Sequence, residues 1–339
     1  MSNRLFQHEV KNRSTVPYLL LFSCLLACCA WSQSFVAKPL NDLGADKYKG
    51  FQGGLYEKGS NQIPADHDAA GLVLAEQVKP IRGKFVFLSI GMSNTAMEFM
   101  TFQSIAESDS HVNHSTLAII NGAVGAMTAC AWSDAHATPG ESCHRQAAFQ
   151  NLYDRIRDEL LKPAGLAEDQ VEAIWLKNAD PRPDTALPAH DAEAYHYEGL
   201  LGQTVRVLRS RYPNLKLLFL SSRIYGGYAT RPLNPEPYAY EYGFSVKWLI
   251  QAQVDQMRNG TIDSVAGDLD YKKGAAPWMV WGPYLWADGV SPRSDGLTWQ
   301  ASEFSEQDGT HPNQKGREKV AKMLLDFLLS SPYTTWFRK

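Results

Sequence analysis

The amino-acid sequence predicts an α/β fold in which a parallel sheet is covered by helices on both faces. First, short β-rich apolar runs alternate with longer amphipathic segments along the chain. Second, a chain of 339 residues with 44% hydrophobic and 20% charged side chains can form one large core. The candidate strands are Phe85–Ile90, Leu117–Asn121, Val171–Leu176, Leu215–Leu220 and Trp278–Trp281. The candidate helices between and after them are Thr95–Glu107, Arg145–Leu161, Ala192–Arg211, Tyr242–Met257 and Gln314–Leu329.

The segment before the first strand is expected to be an N-terminal extension. It is a Gly- and Asn-rich stretch followed by a helical pattern, Ala65 to Val78, that ends before Pro80. We therefore expect a signal segment over residues 1–30, an extension over 31–82, a main domain over 83–330 and a tail over 331–339.

The first thirty residues have the pattern of an export signal. Arg4, Lys11 and Arg13 precede an apolar run from Val16 to Ala30, which has the length of a signal-peptide core and is short for a membrane span. The letters "LLAC" that end at Cys28 also resemble a bacterial lipobox, in which this cysteine is lipidated. A retained membrane anchor is the alternative. We expect an exported protein, either periplasmic, secreted or lipid-anchored at the cell surface, with membrane contact only through a lipid at Cys28.

Charge and cysteine content narrow the class of protein. The formal charge is −3, and removal of residues 1–28 with three basic side chains and one acidic side chain takes it to −5, which disfavours nucleic acid as a partner. In an oxidising compartment Cys130 and Cys143 are expected to form a loop-closing disulfide. Asp134, His136 and His144 crowd this loop without the spacing of a metal motif, so we expect neither a metal site nor a cofactor.

Ser93 stands where the first strand gives way to the first helix, a position with two interpretations. It is either a helix cap, or a nucleophile whose hydroxyl lies near backbone amides at a helix N-terminus. A nucleophilic serine needs a base, and "DGTHP" near the C-terminus supplies His311 with Asp308 three residues before it. This spacing lets the carboxylate orient the imidazole as it accepts the serine proton. The alternative is that both residues only shape the entry to the last helix.

Two further strand ends offer donors for the oxyanion of an acyl-transfer intermediate. Gly122 follows the second strand, where a missing side chain lets a backbone amide approach the substrate. Asn178 follows the third strand, and its side-chain amide is a second donor. Simple turn formation is the alternative for both residues.

Ser93, Gly122, Asn178 and His311 occur in an order that resembles the SGNH hydrolase superfamily, also called GDSL-type esterases and lipases, over residues 83–330. The resemblance implies a three-layer α/β/α sandwich with a central five-stranded parallel sheet, of the flavodoxin-like type. It implies Ser93 as nucleophile, His311 as base and Asp308 as its partner. The amides of Ser93 and Gly122 and the Asn178 side chain would form the oxyanion hole.

Two departures mark a divergent branch of this family. The first block reads Gly-Met-Ser-Asn at residues 91–94 in place of Gly-Asp-Ser-Leu. The third reads Leu-Lys-Asn-Ala-Asp at residues 176–180 in place of Gly-x-Asn-Asp.

Two aromatic-rich insertions after the fourth and fifth strands are expected at the rim of the site. Aromatic faces stack on sugar rings, so the expected reaction is removal of a small acyl group, acetyl above all, from a carbohydrate or another small molecule. A catalytically impaired glycan-binding protein, an acyltransferase and a lipase are the alternatives, and a hydrophobic cap is the alternative role of the insertions. The expected substrate-binding residues are Arg223, Tyr225, Trp281, Tyr284 and Trp286.

Overall fold

The fold is built around five fully parallel strands. The computed structural model describes residues 35–135 and 151–339. The strands are β1 Lys47–Tyr48, β2 Phe51–Gln52, β3 Phe85–Gly91, β4 Leu117–Asn121, β5 Val171–Lys177, β6 Leu217–Leu220 and β7 Trp278–Trp281. The central sheet has the order β4-β3-β5-β6-β7, and each neighbouring pair is parallel. The remaining two strands form a separate antiparallel hairpin.

Helices connect the strands and flank the sheet. They are α1 Leu40–Leu43, α2 Ala65–Ala75, α3 Ser93–Ser108, α4 Ala129–Trp132, α5 Leu152–Arg155, α6 Glu193–Arg211, α7 Tyr238–Asn259 and α8 Gln314–Ser330. In the described chain α3 packs against α8, and α6 packs against α7. Crossovers between parallel strands are right-handed, so the step from β3 to β4 and the opposite step from β5 to β6 put their helices on opposite faces. The predicted sheet with helices on both faces is confirmed.

The direction of winding reverses beside β3, and this reversal positions the site. The chain passes from β3 to β4 on one side and then returns to β5 on the other side of β3. A crevice forms at the carboxyl ends of the strands where winding reverses, because the two adjoining loops leave in opposite directions. Ser93 follows β3 and Asn178 follows β5, so both residues lie at this crevice.

The sheet is buried on both faces, as its apolar sequence requires. Every residue of β3, β5, β6 and β7 is buried. Aromatic rings fill the space between the sheet and the helices: the ring centroids of Trp175 and Phe99 lie 5.9 Å apart, and those of Phe85 and Trp336 lie 5.6 Å apart. The C-terminal tail therefore contributes directly to the core.

The segment before β3 packs onto the end of the sheet near β7. His67 in α2 is buried, stacks on Trp278 and has a ring nitrogen 2.7 Å from the carbonyl oxygen of Met279. A side chain at Gly71 would clash with Trp278, because an added Cβ would lie 2.1 Å from the indole ring. Residues 35–339 form one compact unit. Over the part of the chain that the structure describes, no helix has the length and apolar character needed to cross a membrane.

The strand predictions agree with the structure to within two residues at each end. The helix predicted over Arg145 to Leu161 differs more from the structure, where it corresponds to α5. Residues 145–150 lie outside the described ranges, and the helix begins at Leu152 because the Asn151 side chain caps it by accepting from the amides of Tyr153 and Asp154. The helix continues as the π-helical turn Ile156–Leu161.

Candidate active site

The strand-to-helix turn at Ser93 is held by a close contact between two strand ends. An added Cβ at Gly91 would lie 2.1 Å from the carbonyl oxygen of Lys177, so only glycine fits there. Met92 has extended backbone angles and makes no side-chain cap, and Ser93 is the first residue of α3. The Thr95 hydroxyl donates to the Lys177 carbonyl at 2.5 Å. These contacts fix the start of α3 against the end of β5, without the aspartate that the family usually has.

Ser93, His311 and Asp308 lie in a hydrogen-bonded row. Ser93 Oγ is 2.8 Å from His311 Nε2, and His311 Nδ1 is 2.6 Å from Asp308 Oδ2. A carboxylate only accepts hydrogen bonds, so the second contact puts the proton of a neutral imidazole on Nδ1. Nε2 is then free to accept the serine proton. The sequence distance of 218 residues between serine and histidine is closed by the fold.

The Asp308 carboxylate is oriented by its own turn. Its Oδ1 accepts from the amides of Thr310 at 2.8 Å and His311 at 2.9 Å. Burial alone would raise the pKa of Asp308, but these amides and the His311 side chain together lower it below its ordinary value. Asp308 is therefore ionised at neutral pH and faces His311 Nδ1 with a negative charge. Asn94 Nδ2 ties this turn to α3 by donating to the Thr310 carbonyl at 3.1 Å.

The Asn178 side chain has a free donor at the carboxyl end of β5. Its Oδ1 accepts from the amide of Ala179 at 2.9 Å, whereas its buried Nδ2 has no partner among the described residues. A buried amide N–H without a partner costs about 1–3 kcal/mol. Such a donor is suited to an oxygen that a ligand brings.

Gly122 has a packing role in the structure, and its place in the oxyanion hole stays a prediction. An added Cβ there would lie 2.7 Å from the Ser89 carbonyl oxygen and 2.9 Å from Leu88, so this glycine allows β4 to pack against β3. Gly125 comes closer to the serine, since its added Cβ would lie 3.9 Å from Ser93 Cβ. The next residue, Ala126, has a φ of 67°. Within the described residues neither amide of this Gly125–Ala126 turn donates a hydrogen bond. The turn is therefore a candidate source of a backbone donor to a ligand oxygen.

A cavity of about 670 Å³ opens above the Ser93–His311 pair. Its described lining combines apolar side chains, Met92, Met127 and Leu233, with polar ones. The polar residues besides Ser93 and His311 are Asn94, Thr128, Asp180, Arg182, Asn234 and Thr310. A cavity of this size beside Ser93 is suited to a small ligand. The sequence offered a weak signal for Asp180, three residues past the end of β5, and none for Leu233.

Comparisons with known proteins find similarity among solved structures. No family model matches the chain, and no curated protein matches it significantly. A protein of Parabacteroides merdae named as a GDSL-like lipase aligns over 74% of this chain and 97% of its own, at 12% identity and a TM-score of 0.38. The YXIM protein of Bacillus subtilis aligns over 74% of this chain and 57% of its own, at 11% identity and a TM-score of 0.36.

A third similar structure is BT4096, a gut microbial enzyme that metabolises diltiazem. It aligns over 74% of this chain and 48% of its own, at 12% identity and a TM-score of 0.35. The chain thus spans about half the length of two of these proteins.

The aromatic residues expected at the rim are not at the cavity, which is a correction. Trp281, Tyr284 and Trp286 are at most 5% exposed. Trp281 Nε1 donates to the Leu55 carbonyl, and the Tyr284 hydroxyl accepts from the Leu40 amide. These side chains attach the N-terminal segment to the domain. The hydrophobic cap, the alternative left open by the sequence, describes them.

The other two expected substrate-binding residues also lie away from the described cavity lining. Trp286 Nε1 donates to Glu236, and Tyr225 packs beside this indole with ring centroids 6.1 Å apart. Arg223 is 1% exposed, and no guanidinium nitrogen has a hydrogen-bond partner in the described structure. Its charge acts on the buried carboxylate of Glu98, so Arg223 is part of a buried charge cluster below the site. Loops lack a regular period, which is why sequence alone did not reveal which side chains point inward.

Cys130 lines the cavity and is disulfide-bonded. Cys143, the predicted partner, lies outside the described residues, as do His136 and His144. The pairing of Cys130 with Cys143 stays a prediction.

Proposed function

We propose that this protein is a serine hydrolase that cleaves small acyl esters, acetyl esters above all, by a Ser-His-Asp mechanism. The observation that supports this function is the continuous row from Ser93 Oγ through His311 to Asp308, with contacts of 2.8 and 2.6 Å at the mouth of a cavity. A helix cap would need neither the imidazole nor the carboxylate.

The proposed reaction has two stages. Ser93 Oγ attacks the ester carbonyl carbon as its proton passes to His311 Nε2, and the carbonyl oxygen becomes an oxyanion. Asp308 stabilises the imidazolium through Nδ1. His311 then gives the proton to the leaving alcohol oxygen, which leaves an acyl-serine. Water repeats the sequence in the second stage and releases the carboxylic acid.

Four candidate donors are available for the oxyanion in this mechanism. The Ser93 amide lies in the first turn of α3, where backbone N–H groups have no helical partner. The Asn178 Nδ2 and the amides of the Gly125–Ala126 turn are the others. Donors that are already oriented stabilise the developing charge without a cost of reorganisation.

A carbohydrate is the proposed alcohol part of the substrate. Support for this choice comes from the polar side of the cavity, where Thr128, Asp180, Arg182 and Asn234 offer both donors and acceptors. Arg182 is exposed and makes no ion pair within the described chain, so it is available to a hydroxyl or a carboxylate of the ligand. The methionines and Leu233 suit the acyl part. Export, predicted from the N-terminal pattern, would bring the protein to extracellular glycans.

The decisive experiment compares hydrolysis of p-nitrophenyl acetate by the wild-type chain, Ser93→Ala and Ser104→Ala. Ser104 is an exposed serine of the same helix, so its variant is the matched control. We expect kcat/KM to fall by about 10⁴-fold or more in Ser93→Ala and to stay within twofold in Ser104→Ala. A panel of acetylated saccharides would then identify the alcohol.

Other outcomes would support the alternatives. Equal background rates for all three proteins, together with saccharide affinity, would indicate a binding protein that has lost turnover. Transfer of the acyl group to an added sugar in preference to water would indicate an acyltransferase with the same three residues.

A further inference from the structure

Three potential metal ligands meet around Asp180, which lines the cavity. Asp180 follows β5, while Glu193 and His196 lie three residues apart in the first turn of α6. One ligand atom of each residue lies within 4.8 Å of the others. Residues at i and i+3 of a helix share a face, so the Glu-x-x-His spacing directs both side chains to Asp180.

The two carboxylates of this group are poorly neutralised. Asp180 Oδ2 is 3.2 Å from His196 Nε2, and the Tyr242 hydroxyl donates to Glu193 Oε1 at 3.1 Å. In the described ranges no lysine or arginine forms an ion pair with either carboxylate. Neither acid therefore has a permanently charged side chain beside it in the described ranges.

A second observation points to a missing ligand at this place. Asp180 is 8% exposed, and its buried Oδ1 has no hydrogen-bond partner among the residues described. Both oxygens belong to one carboxylate, so the free Oδ1 lies beside the Oδ2 that contacts His196. A buried acceptor without a donor is costly, and a cation would satisfy it.

We propose that Asp180, Glu193 and His196 bind one divalent transition-metal ion of the Zn²⁺ type. An imidazole nitrogen combined with carboxylate oxygens is a ligand set for such ions, whereas Mg²⁺ and Ca²⁺ prefer oxygen alone. Tetrahedral zinc with bonds of about 2.0–2.1 Å separates its ligands by roughly 3.4 Å, close to the existing contact between Asp180 and His196. Glu193 completes the site by a side-chain rotation, and water takes the remaining position.

A metal ion at this site would hold the neighbouring residues in position and would not take part in ester cleavage. Asp180 is two residues from Asn178 and lines the cavity, so an ion would fix the segment between β5 and α6. The inference does not rest on the proposed hydrolase activity, because ion binding is measured without substrate. It also departs from the sequence expectation that the chain has no metal site. The Glu-x-x-His spacing of Glu193 and His196 was the sequence feature that could have indicated this metal site.

The test is calorimetric titration of ZnCl₂ into the chelator-treated full chain at about pH 8, where the ligands can deprotonate. The variants are Glu193→Gln and His196→Ala, and His190→Ala is the matched control. His190 is in the same segment and 97% exposed. We expect one equivalent of zinc, a loss of affinity of about 10- to 100-fold in both site variants, and a change below about twofold in the control.

A second readout separates a lost ligand from a damaged fold. Bound Co²⁺ should give the wild-type and His190→Ala proteins a visible absorption band that His196→Ala lacks, while circular dichroism stays the same for all four proteins. Zinc should also raise the midpoint of thermal unfolding of the wild type, and it should leave the midpoints of the two site variants unchanged. Absence of saturable binding, or equal affinity in the wild type and both site variants, would overturn the proposal.

Discussion

Removing the buried charge of Glu98 is expected to destabilise the fold strongly. Glu98 of α3 and Lys177 at the end of β5 are 0% and 1% exposed as side chains. Lys177 Nζ is 2.7 Å from one carboxylate oxygen and 2.6 Å from the other. Burial lowers the pKa of Lys177 to about 8, so the ammonium is still charged at neutral pH. The pair links the helix of Ser93 to the strand that precedes Asn178.

The structure gives both a magnitude and an order for the effect. At 2.6 Å and an effective dielectric constant of about 20, the attraction is about 6 kcal/mol, which offsets the cost of desolvating both charges. Glu98→Gln leaves two buried cations, Lys177 and Arg223, and should cost about 3–5 kcal/mol. Lys177→Met leaves the Glu98 carboxylate attracted by the charge of Arg223, so it should cost less free energy of unfolding than Glu98→Gln. The double variant should cost about 2 kcal/mol less than the two single variants added together.

Urea unfolding at neutral pH, followed by tryptophan fluorescence, measures these free energies. The matched control is Lys322→Met on α8, which removes an exposed ion pair with Asp326 at 3.3 Å and should cost under about 0.5 kcal/mol. A cost below about 1 kcal/mol for Glu98→Gln would refute the reasoning, because it would mean that the carboxyl is already neutral in the folded protein. A larger cost for Lys177→Met than for Glu98→Gln would refute the role of Arg223.

Two further predictions concern the side-chain donor of Asn178 and the buried carboxyl group of Glu198 in α6. Asn178→Ala should lower kcat on an activated acetate ester by about 10²-fold or more with little change in KM, because Nδ2 is needed chiefly for the oxyanion. An unchanged kcat would exclude this donor. Burial and then the charge of Asp263 raise the pKa of Glu198 to about 8, so the folded protein holds a proton that the unfolded chain loses near pH 4.5. Stability should fall as pH rises between these values, and Glu198→Gln should recover up to about 5 kcal/mol at pH 8 and above but little below pH 4.5. Thermal unfolding across this range, with exposed Glu107→Gln as the control, checks the second prediction; a pH-independent gain would contradict it.

The sheet was predictable because its strands are short apolar runs separated by longer helical patterns. A fully buried parallel strand needs apolar residues on both faces, and β3 and β5 meet this need almost without interruption. Ser93 and Asn178 could be placed beside each other for the same reason, since parallel strands end at the same edge of the sheet. The proximity of His311 was inferred from chemistry, as a base that a serine would need.

The loops resisted prediction because their side chains have no periodic pattern to show which way they point. Trp281, Tyr284 and Trp286 have the composition of a sugar-binding rim, yet they are buried under the N-terminal segment. Ala126 has a left-handed backbone conformation that alanine rarely adopts, and only the surrounding contacts select it. Leu233 reaches the cavity from a loop whose path depends on contacts far away in the sequence.

The packing of α3 on α8 makes the distance between serine and base a property of one helix pair. Ser93 begins the first helix, His311 stands three residues before the second, and Asn94 joins the two through the Thr310 carbonyl. The loop after β6 supports the same turn, because the Thr230 amide donates to the Asp308 carbonyl at 2.9 Å. A conservative substitution in the interface between these helices, far from any ligand, would therefore change the rate of the proposed hydrolysis before it changes the fold.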